Sequence, residues 1–234
     1  MHVFYSEISE AGLVILNHEE SHHCTKVLRL RQGEEVIVTD GKGKWIRGHL
    51  VEANPKASLI SPEKLIFVAP RQQRLHIAIA PTKNIDRFEW FLEKATECGI
   101  EEITPIFCEN SERNTIKPER LEKVIAAAMK QSLRAWLPVL NPTVKLKEFL
   151  KKKAQGLKMI AHCGLGEKMK MRRASSAGHG AVILIGPEGD FSQSEILLAL
   201  EAGYQPISLG KYRLRTETAA LVACIEFNVI NSEF

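Results

Sequence analysis

The sequence contains few cysteines, and no two of them have metal-binding spacing. The five cysteines are widely spread, odd in number and include no Cys-x-x-Cys pair. This pattern argues against a disulfide framework or a zinc ribbon, and it fits a reducing compartment such as the cytoplasm. His22-His23-Cys24 holds three potential ligands. Adjacent side chains point in different directions and no second cluster has ligand spacing, so we expect no metal site.

Long hydrophobic runs are absent as well. No apolar segment approaches the roughly 20 residues of a membrane span, and the N-terminus lacks a basic segment followed by an apolar one. We therefore expect neither a membrane span nor a secretory signal. The 234 residues are 44% hydrophobic and 26% charged, which is typical of a globular protein with one large or two small domains.

Excess charge is small too, with a net charge of +4, which alone does not indicate a nucleic-acid partner. Its placement is uneven, because residues 1–70 carry a net −1 and residues 71–234 carry +5. Residues 145–173 contain ten basic and only two acidic side chains. Such a run is either a solvated face or a site for a polyanion, and the sequence leaves both interpretations open.

The pattern of secondary structure changes near residue 70. Before it, short apolar runs broken by turns predict strands, including Glu35–Thr39 followed by a hairpin turn at Asp40-Gly41. A helical segment is predicted over 22–30. After a linker around residues 70–74, strands alternate with helices, which indicates an α/β domain. The predicted domains are a small barrel-like module over 1–70 and an α/β domain over 74–234.

The predicted elements of the α/β domain are bounded by clear signals. Asp86 and Glu89 predict a helix start, and Gly99 predicts its end. The other predicted elements are strands at 75–80, 102–107, 158–163, 181–185 and 206–209, and helices from Pro118, Ser192 and Thr216.

Two glycine-bearing loops follow predicted strands near the C-terminus. The apolar run Ala181–Ile185, typical of a buried parallel strand, leads directly into Gly186-Pro187-Glu188-Gly189. A second strand ends at Leu209-Gly210. Backbone groups in such loops can approach a ligand closely, although the glycines also fit simple tight turns. Neither loop matches the dinucleotide fingerprint or the P-loop.

Together these motifs closely resemble one family, the bacterial 16S ribosomal RNA uridine-N3 methyltransferases of the SPOUT (trefoil-knot) class. The resemblance covers the whole chain. It rests on the two glycine loops, Leu214-Arg215-Thr216-Glu217-Thr218-Ala219, Asp86-Arg87-Phe88-Glu89-Trp90, Ser111-Glu112-Arg113, Gln131-Ser132 with Arg134, and His23 with Val27-Leu28-Arg29-Leu30. It implies an N-terminal PUA-like β-barrel, a C-terminal α/β domain with a deep trefoil knot, and a homodimer. Chain-connection rules alone favour an ordinary unknotted sheet.

The resemblance also implies an activity, the S-adenosylmethionine-dependent methylation of uracil N3 in 16S ribosomal RNA of the small ribosomal subunit. The implied cofactor-binding residues are Ala161, His162, Ile185, Gly186, Pro187, Gly189, Leu209, Gly210, Leu214 and Thr216. Arg215 and Glu217 are the implied catalytic residues, with Arg215 stabilising charge on the uracil oxygens. For Glu188 and Glu217 the alternative is a favourable charge at a helix N-terminus. The base that removes the N3 proton is left open.

We expect RNA contacts to come mainly from basic side chains that bind phosphates, with the target base splayed out of its stack. The candidate RNA-binding residues are Lys26, Arg29, Arg31, Lys42, Lys44, Arg113 and Arg134. Two alternatives remain at this point. One is a non-enzymatic RNA-binding protein of the same architecture, and the other is a different α/β nucleotide enzyme, which would need phosphate-binding motifs that this sequence lacks.

Overall fold

The computed structural model describes residues 2–8, 13–153, 155–175 and 177–231. The chain divides into two units. The first comprises Met1–Pro70 with Ala126–Leu137, and the second comprises Arg71–Ile125 with Pro138–Phe234. Among the described residues, every helix is too short or too polar to cross a lipid bilayer.

The first unit is built on one five-stranded sheet. Its elements are β1 (Val3–Tyr5), β2 (Val14–Ile15), α1 (His18–His22), β3 (Glu35–Thr39), β4 (Lys44–Glu52) and β5 (Leu59–Phe67). The strand order is β1-β3-β4-β5-β2, with β1 parallel to β3 and the other neighbours antiparallel. Phe4, Val36, Leu50 and Ile60 form its core and are fully buried. This core holds the strands of the first unit together, including β3 and β4 and the turn that joins them.

That turn has the predicted Asp-Gly conformation. Gly41 and Gly43 both have positive φ, at 66° and 96°, which glycine adopts without a steric penalty. The Asp40 Oδ1 accepts hydrogen bonds from the backbone nitrogens of Lys42, at 2.7 Å, and Lys44, at 3.0 Å. The carboxylate therefore holds the turn closed, and the predicted hairpin is confirmed.

The helical segment of the first unit begins earlier than the predicted residue 22. Helix α1 starts after Asn17, whose Oδ1 accepts a 2.9 Å hydrogen bond from the Glu20 nitrogen. A π-helical segment, His23–Val27, continues it. The buried Glu20 carboxylate also forms an ion pair with Lys130. The predicted start was too late because Asn17 caps the helix five residues before His22 and satisfies the N–H group of Glu20.

The second unit contains one parallel sheet and most of the helices. Its elements are β6 (Leu75–Ile79), α2 (Ile85–Cys98), β7 (Glu102–Phe107), the first part of α3 (Pro118–Gln131), β8 (Val139–Leu140), β9 (Val144–Lys145), α4 (Leu146–Leu150), β10 (Leu157–Ala161), β11 (Met169–Lys170), α5 (Met171–Ala174), β12 (Ala181–Ile185), α6 (Gln193–Glu201), β13 (Gln205–Ser208) and α7 (Thr216–Ile230). Residues 126–131 of α3 belong to the first unit. The strand order is β11-β13-β10-β12-β6-β7-β8, and β9 also pairs with β7. Every pairing among the described strands of this sheet is parallel.

Helices cover both faces of this sheet. All five residues of β12 are buried, as expected for an apolar strand between two helical layers. On one face, Ile160 and Leu184 pack with Phe149 of α4 and Ile196 of α6. On the other, α7 packs against α2, β6 and β12. The predicted α/β class is confirmed.

Local sequence signals define the ends of α2 and α6, and the predicted N-cap of α2 is corrected. The predicted capping box of α6 is present, since Ser192 and Glu195 each accept the other's backbone N–H. Helix α2 ends at Gly99, which has a φ of 106°. Its N-cap, however, is Asn84 rather than the predicted Asp86, and the Asn84 Oδ1 accepts a 3.0 Å hydrogen bond from the Asp86 nitrogen. Asp86 instead lies in the first turn, where its charge is favourable.

Candidate functional site

A cavity of about 660 Å³ opens in the second unit at the ends of β10, β12 and β13. His162 follows β10, Gly186 follows β12 and Leu209 follows β13, and all three line the cavity. Because the three strands are parallel neighbours, their carboxyl ends meet at one edge of the sheet, where open α/β sheets bind ligands. The volume lies within the usual range for small-molecule sites.

Nine of the ten predicted cofactor-binding residues line this cavity. They are Ala161, His162, Ile185, Gly186, Pro187, Leu209, Gly210, Leu214 and Thr216. Gly189 lies outside the lining, and its carbonyl oxygen accepts a 3.2 Å hydrogen bond from the Asn110 side chain. The two glycine loops, separated by 20 residues of sequence, thus border one space.

The loop after β12 leaves little room for a side chain at its first position. A Cβ atom on Gly186 would lie 3.0 Å from a ring carbon of Phe191 and 3.2 Å from the Phe191 nitrogen. The side chain of Glu188 accepts a 2.9 Å hydrogen bond from the Lys83 nitrogen. The Asp190 Oδ2 accepts a 2.7 Å hydrogen bond from the Cys163 nitrogen, which connects this loop to the segment after β10. These two hydrogen bonds anchor the loop after β12 to neighbouring segments.

His162 is a polar side chain in the wall of the cavity. Neither ring nitrogen has a hydrogen-bond partner among the described residues, although both are shielded from solvent. Burial lowers the pKa of His162, the nearby Lys168 lowers it further, and Asp190 opposes the shift. The imidazole is therefore neutral at pH 7. Buried polar atoms without partners inside a cavity are the groups that a bound ligand would satisfy.

The two predicted catalytic residues occupy different environments. Arg215 is exposed, lines the cavity and directly precedes α7. Glu217 does not line it and is only 6% exposed. Its Oε1 lies 4.0 Å from the Arg87 Nε, and its Oε2 has no partner among the described residues. Arg87 does line the cavity, so Glu217 lies next to a lining residue without lining the cavity itself.

Sequence reasoning assigned no site role to Arg87. It belongs to the Asp86–Trp90 motif, which was interpreted as a helix start and as part of the family resemblance. This motif was the signal that could have indicated a role for Arg87 at the site. The other lining residues without a predicted role are Cys163, Lys168, Glu188, Asp190, Ile207, Ser208, Lys211, Tyr212, Arg213 and Ala219. Seven of them lie in the loops that follow β10, β12 and β13, so their position at or after predicted strand ends would have identified those seven.

Six of the seven candidate RNA-binding residues belong to the first unit. Lys26, Arg29 and Arg31 are exposed around the end of the π-helical segment. Lys42 and Lys44 lie at the turn between β3 and β4, and Arg134 follows α3. Arg113 belongs to the second unit, where its guanidinium donates to the carbonyl oxygens of Thr82, at 3.0 Å, and Lys83, at 2.7 Å. Their contacts with RNA stay a prediction.

Comparisons with known proteins agree with this arrangement. The model of an RNA methyltransferase domain matches residues 69–228, and that of an RNA methyltransferase PUA domain matches residues 16–63. The ribosomal RNA small subunit methyltransferase E of Synechocystis sp. is 31% identical over 227 residues, spanning 93% of this chain and 73% of the relative.

Solved structures share the fold over nearly the whole chain. A probable rRNA methyltransferase from Porphyromonas gingivalis superposes with a TM-score of 0.91 and 38% identity, covering 99% of both chains. A ribosomal RNA small subunit methyltransferase E from Neisseria gonorrhoeae, bound to S-adenosyl methionine, gives a TM-score of 0.89 and 27% identity, covering 99% of this chain and 98% of the other. The predicted family is confirmed, and the chain belongs to the RNA methyltransferase family whose curated members are named ribosomal RNA small subunit methyltransferase E.

Proposed function

We propose that the cavity binds S-adenosylmethionine and that the enzyme methylates N3 of one uracil in 16S ribosomal RNA of the small ribosomal subunit. The observation that carries this proposal is the convergence of two glycine loops and the unpaired His162 on one cavity at the carboxyl edge of a parallel sheet. The cofactor bound in the Neisseria gonorrhoeae relative supports it.

The residues of the cavity fit this cofactor. Gly186 lines the cavity and carries no side chain, so a ligand can approach its backbone. Ile185, Leu209 and Leu214 supply apolar wall for an adenosine group. The neutral imidazole of His162 adds a polar group without a positive charge that would repel a sulfonium. The cofactor supplies an activated methyl group when bound, so the main task of these residues is orientation.

Arginines at the cavity suit the second substrate. Loss of the N3 proton leaves negative charge on the uracil, and Arg215 lines the cavity as an exposed cation able to stabilise it. Arg87 provides a second guanidinium, which the buried Glu217 carboxylate orients from behind. We therefore assign Arg215 to charge stabilisation and Glu217 to the positioning of Arg87.

The first unit is assigned to RNA binding. Its exposed lysines and arginines suit phosphate contacts, which position an RNA without reading its sequence. We propose residues 1–70 as a PUA-like RNA-binding domain and residues 74–234 as the methyltransferase domain, in which the cofactor cavity is formed by a trefoil knot. We also propose a cytoplasmic homodimer, and the exposed Ile225 and Val229 of α7 supply apolar surface for such an interface.

Methyl transfer to small ribosomal subunits from cells that lack the modification tests this function. We expect one methyl group per subunit, and mass mapping should place it on uracil N3. A methyl group on a 2′-hydroxyl or on guanine would overturn the assignment of the product. Arg215→Ala should lower the rate by about a hundred-fold or more with little change in cofactor affinity. Failure of the wild-type protein to bind S-adenosylmethionine in calorimetry would instead favour a non-enzymatic RNA-binding protein.

A further inference from the structure

Two aromatic side chains lie exposed beside each other on the first unit. Phe67, at the end of β5, is 62% exposed, and Trp136 is 36% exposed. Their ring centroids are 6.4 Å apart and their planes meet at 78°, an edge-to-face arrangement. Single exposed apolar side chains are common, but adjoining aromatic rings at a surface indicate an interaction site.

The ring of Trp136 is held in place by its surroundings. Its Nε1 donates a 2.9 Å hydrogen bond to the Val68 carbonyl oxygen. A Cβ atom on Gly43 would lie 2.8 Å from the Trp136 Cζ2, so only a glycine lets the ring lie this close to the turn. The Gly43 nitrogen also donates to the Ala135 carbonyl oxygen at 2.9 Å. With its donor satisfied and its position fixed, the indole offers solvent mainly its apolar surface.

Positive charge flanks both rings. Lys42 forms a β-bridge with Trp136, and Lys44 is the cross-strand partner of Phe67. Neither lysine forms an ion pair with any residue that the structure describes. The carboxylate nearest in sequence, Asp40, accepts the backbone N–H groups of both lysines, so it is engaged with the turn. Both ammonium groups are therefore available to an anionic partner.

We propose that Phe67 and Trp136, with Lys42 and Lys44, form an aromatic platform on which an unpaired RNA base stacks while the lysines bind the adjoining phosphates. A base has a π-face of its own, and aromatic rings beside basic groups are the usual means of holding single-stranded RNA. A protein partner fits less well, because charged residues are depleted from the cores of protein interfaces. The inference rests on the proposed RNA substrate, but it concerns a surface outside the cofactor cavity.

Binding of fluorescent RNA probes, followed by anisotropy, tests the platform. The probes are a single-stranded oligouridine and a blunt RNA duplex, each of about 12 nucleotides or base pairs. Phe67→Ala and Trp136→Ala should weaken binding of the single strand by roughly ten-fold and change duplex binding much less. Trp136→Phe keeps a ring and should stay within about three-fold of wild type. Melting temperatures establish that each variant is folded.

Leu65 provides the matched control, since it is 61% exposed on the same strand but is not aromatic. Leu65→Ala should bind both probes like wild type. Equal losses for Leu65→Ala and Phe67→Ala would overturn stacking in favour of a general apolar contact. Wild-type affinity in both Phe67→Ala and Trp136→Ala would also overturn it.

Salt dependence separates the lysines from the rings. Lys42→Ala and Lys44→Ala should each reduce the slope of log affinity against log salt by about 0.7, whereas Phe67→Ala should leave the slope unchanged. Unchanged slopes in both lysine variants would contradict the phosphate contacts. If the wild-type protein binds neither probe and methylates no subunits, the proposed function itself fails. If it methylates subunits but the platform variants bind normally, only the platform fails.

Discussion

The Oγ1 of Thr216 donates a 3.1 Å hydrogen bond to the carbonyl oxygen of Gly186. Thr216 is the first residue of α7 and Gly186 is the first residue after β12, and both line the cavity. Thr216 is only 5% exposed, so this bond lies in a region that water does not reach freely. It joins two loops that are 30 residues apart, and it fixes the distance across this part of the cavity wall.

Replacing Thr216 by valine should disturb stability and cofactor binding together. Valine has the same shape but no donor, so the buried Gly186 carbonyl loses its partner at a cost of about 1–3 kcal/mol in the free energy of unfolding. We expect weaker S-adenosylmethionine binding in calorimetry because the two loops are no longer joined. Thr216→Ser retains the hydroxyl and is the control. Equal stability and equal cofactor affinity of Thr216→Val and Thr216→Ser would show that the hydrogen bond neither stabilises the fold nor supports cofactor binding.

Alanine substitutions at Gly186 and Gly189 should have unequal effects. At Gly186 the added Cβ meets both the buried ring and the backbone of Phe191, so we expect a loss of about 1–3 kcal/mol in stability and much weaker cofactor binding. At Gly189 it meets only the Cβ of the exposed Asn110, at 3.1 Å. Since Gly189 lies outside the cavity lining, Gly189→Ala should bind the cofactor almost normally. Comparable losses of cofactor affinity in Gly186→Ala and Gly189→Ala would instead indicate that Gly189 belongs to the binding site.

The lowered pKa of His162 predicts a pH-dependent contribution to stability. Burial and Lys168 depress this pKa below the ordinary value of 6.5, so below pH 6.5 the unfolded chain binds a proton that the folded chain resists. The stabilising contribution is therefore complete above pH 6.5 and is lost as the pH falls through 6.5 towards the lower folded pKa.

Urea unfolding of the wild type and of His162→Gln at several pH values measures this contribution. The stability advantage of the wild type over the variant should shrink from about pH 7.5 to about pH 5.5. His76, whose pKa is also lowered mainly by burial, is present in both proteins, so its contribution cancels in the difference. If the difference in unfolding free energy between wild type and His162→Gln stays constant across this pH range, the lowered pKa of His162 is contradicted.

Local sequence signals were sufficient for most of the second unit. The bounds of β12 and β7 were predicted as the structure has them. For β12 the signal is clear because a strand buried on both faces is apolar along its whole length. The capping box of α6 was also readable, since both of its hydrogen bonds join residues three apart. The helix starts capped by Asn17 and Asn84 were missed. For Asn84 the reason is the acidic signal of Asp86 and Glu89, which follows it closely.

The proximity of Arg87 and Glu217 could not be predicted from local sequence. The two residues are 130 positions apart, and their proximity depends on the packing of α7 against α2. The family resemblance implied a catalytic role for Glu217, and the sequence pattern left Arg87 as part of a helix start. A buried carboxylate that approaches an arginine from behind is a tertiary feature, and the periodicity of neither helix specifies it.

A double-mutant cycle tests whether Glu217 acts through Arg87. If Glu217 positions the Arg87 guanidinium, then Glu217→Gln, Arg87→Ala and the double variant should slow methyl transfer by similar factors, because removing either partner removes the same interaction. We expect a fall of roughly ten-fold or more in kcat. In Glu217→Gln the Kd for S-adenosylmethionine should change little, since Glu217 lies outside the cavity lining.

Each outcome of this cycle has a different structural meaning. Multiplicative losses in the double variant would contradict the positioning role and indicate that Glu217 acts independently of Arg87. Arg87→Lys is the informative companion, because lysine retains the charge but not the planar guanidinium. It should recover part of the lost rate only where Glu217 is present to hold the ammonium group. Equal rates of Arg87→Lys and of the double variant Arg87→Lys with Glu217→Gln would therefore also exclude positioning by this carboxylate.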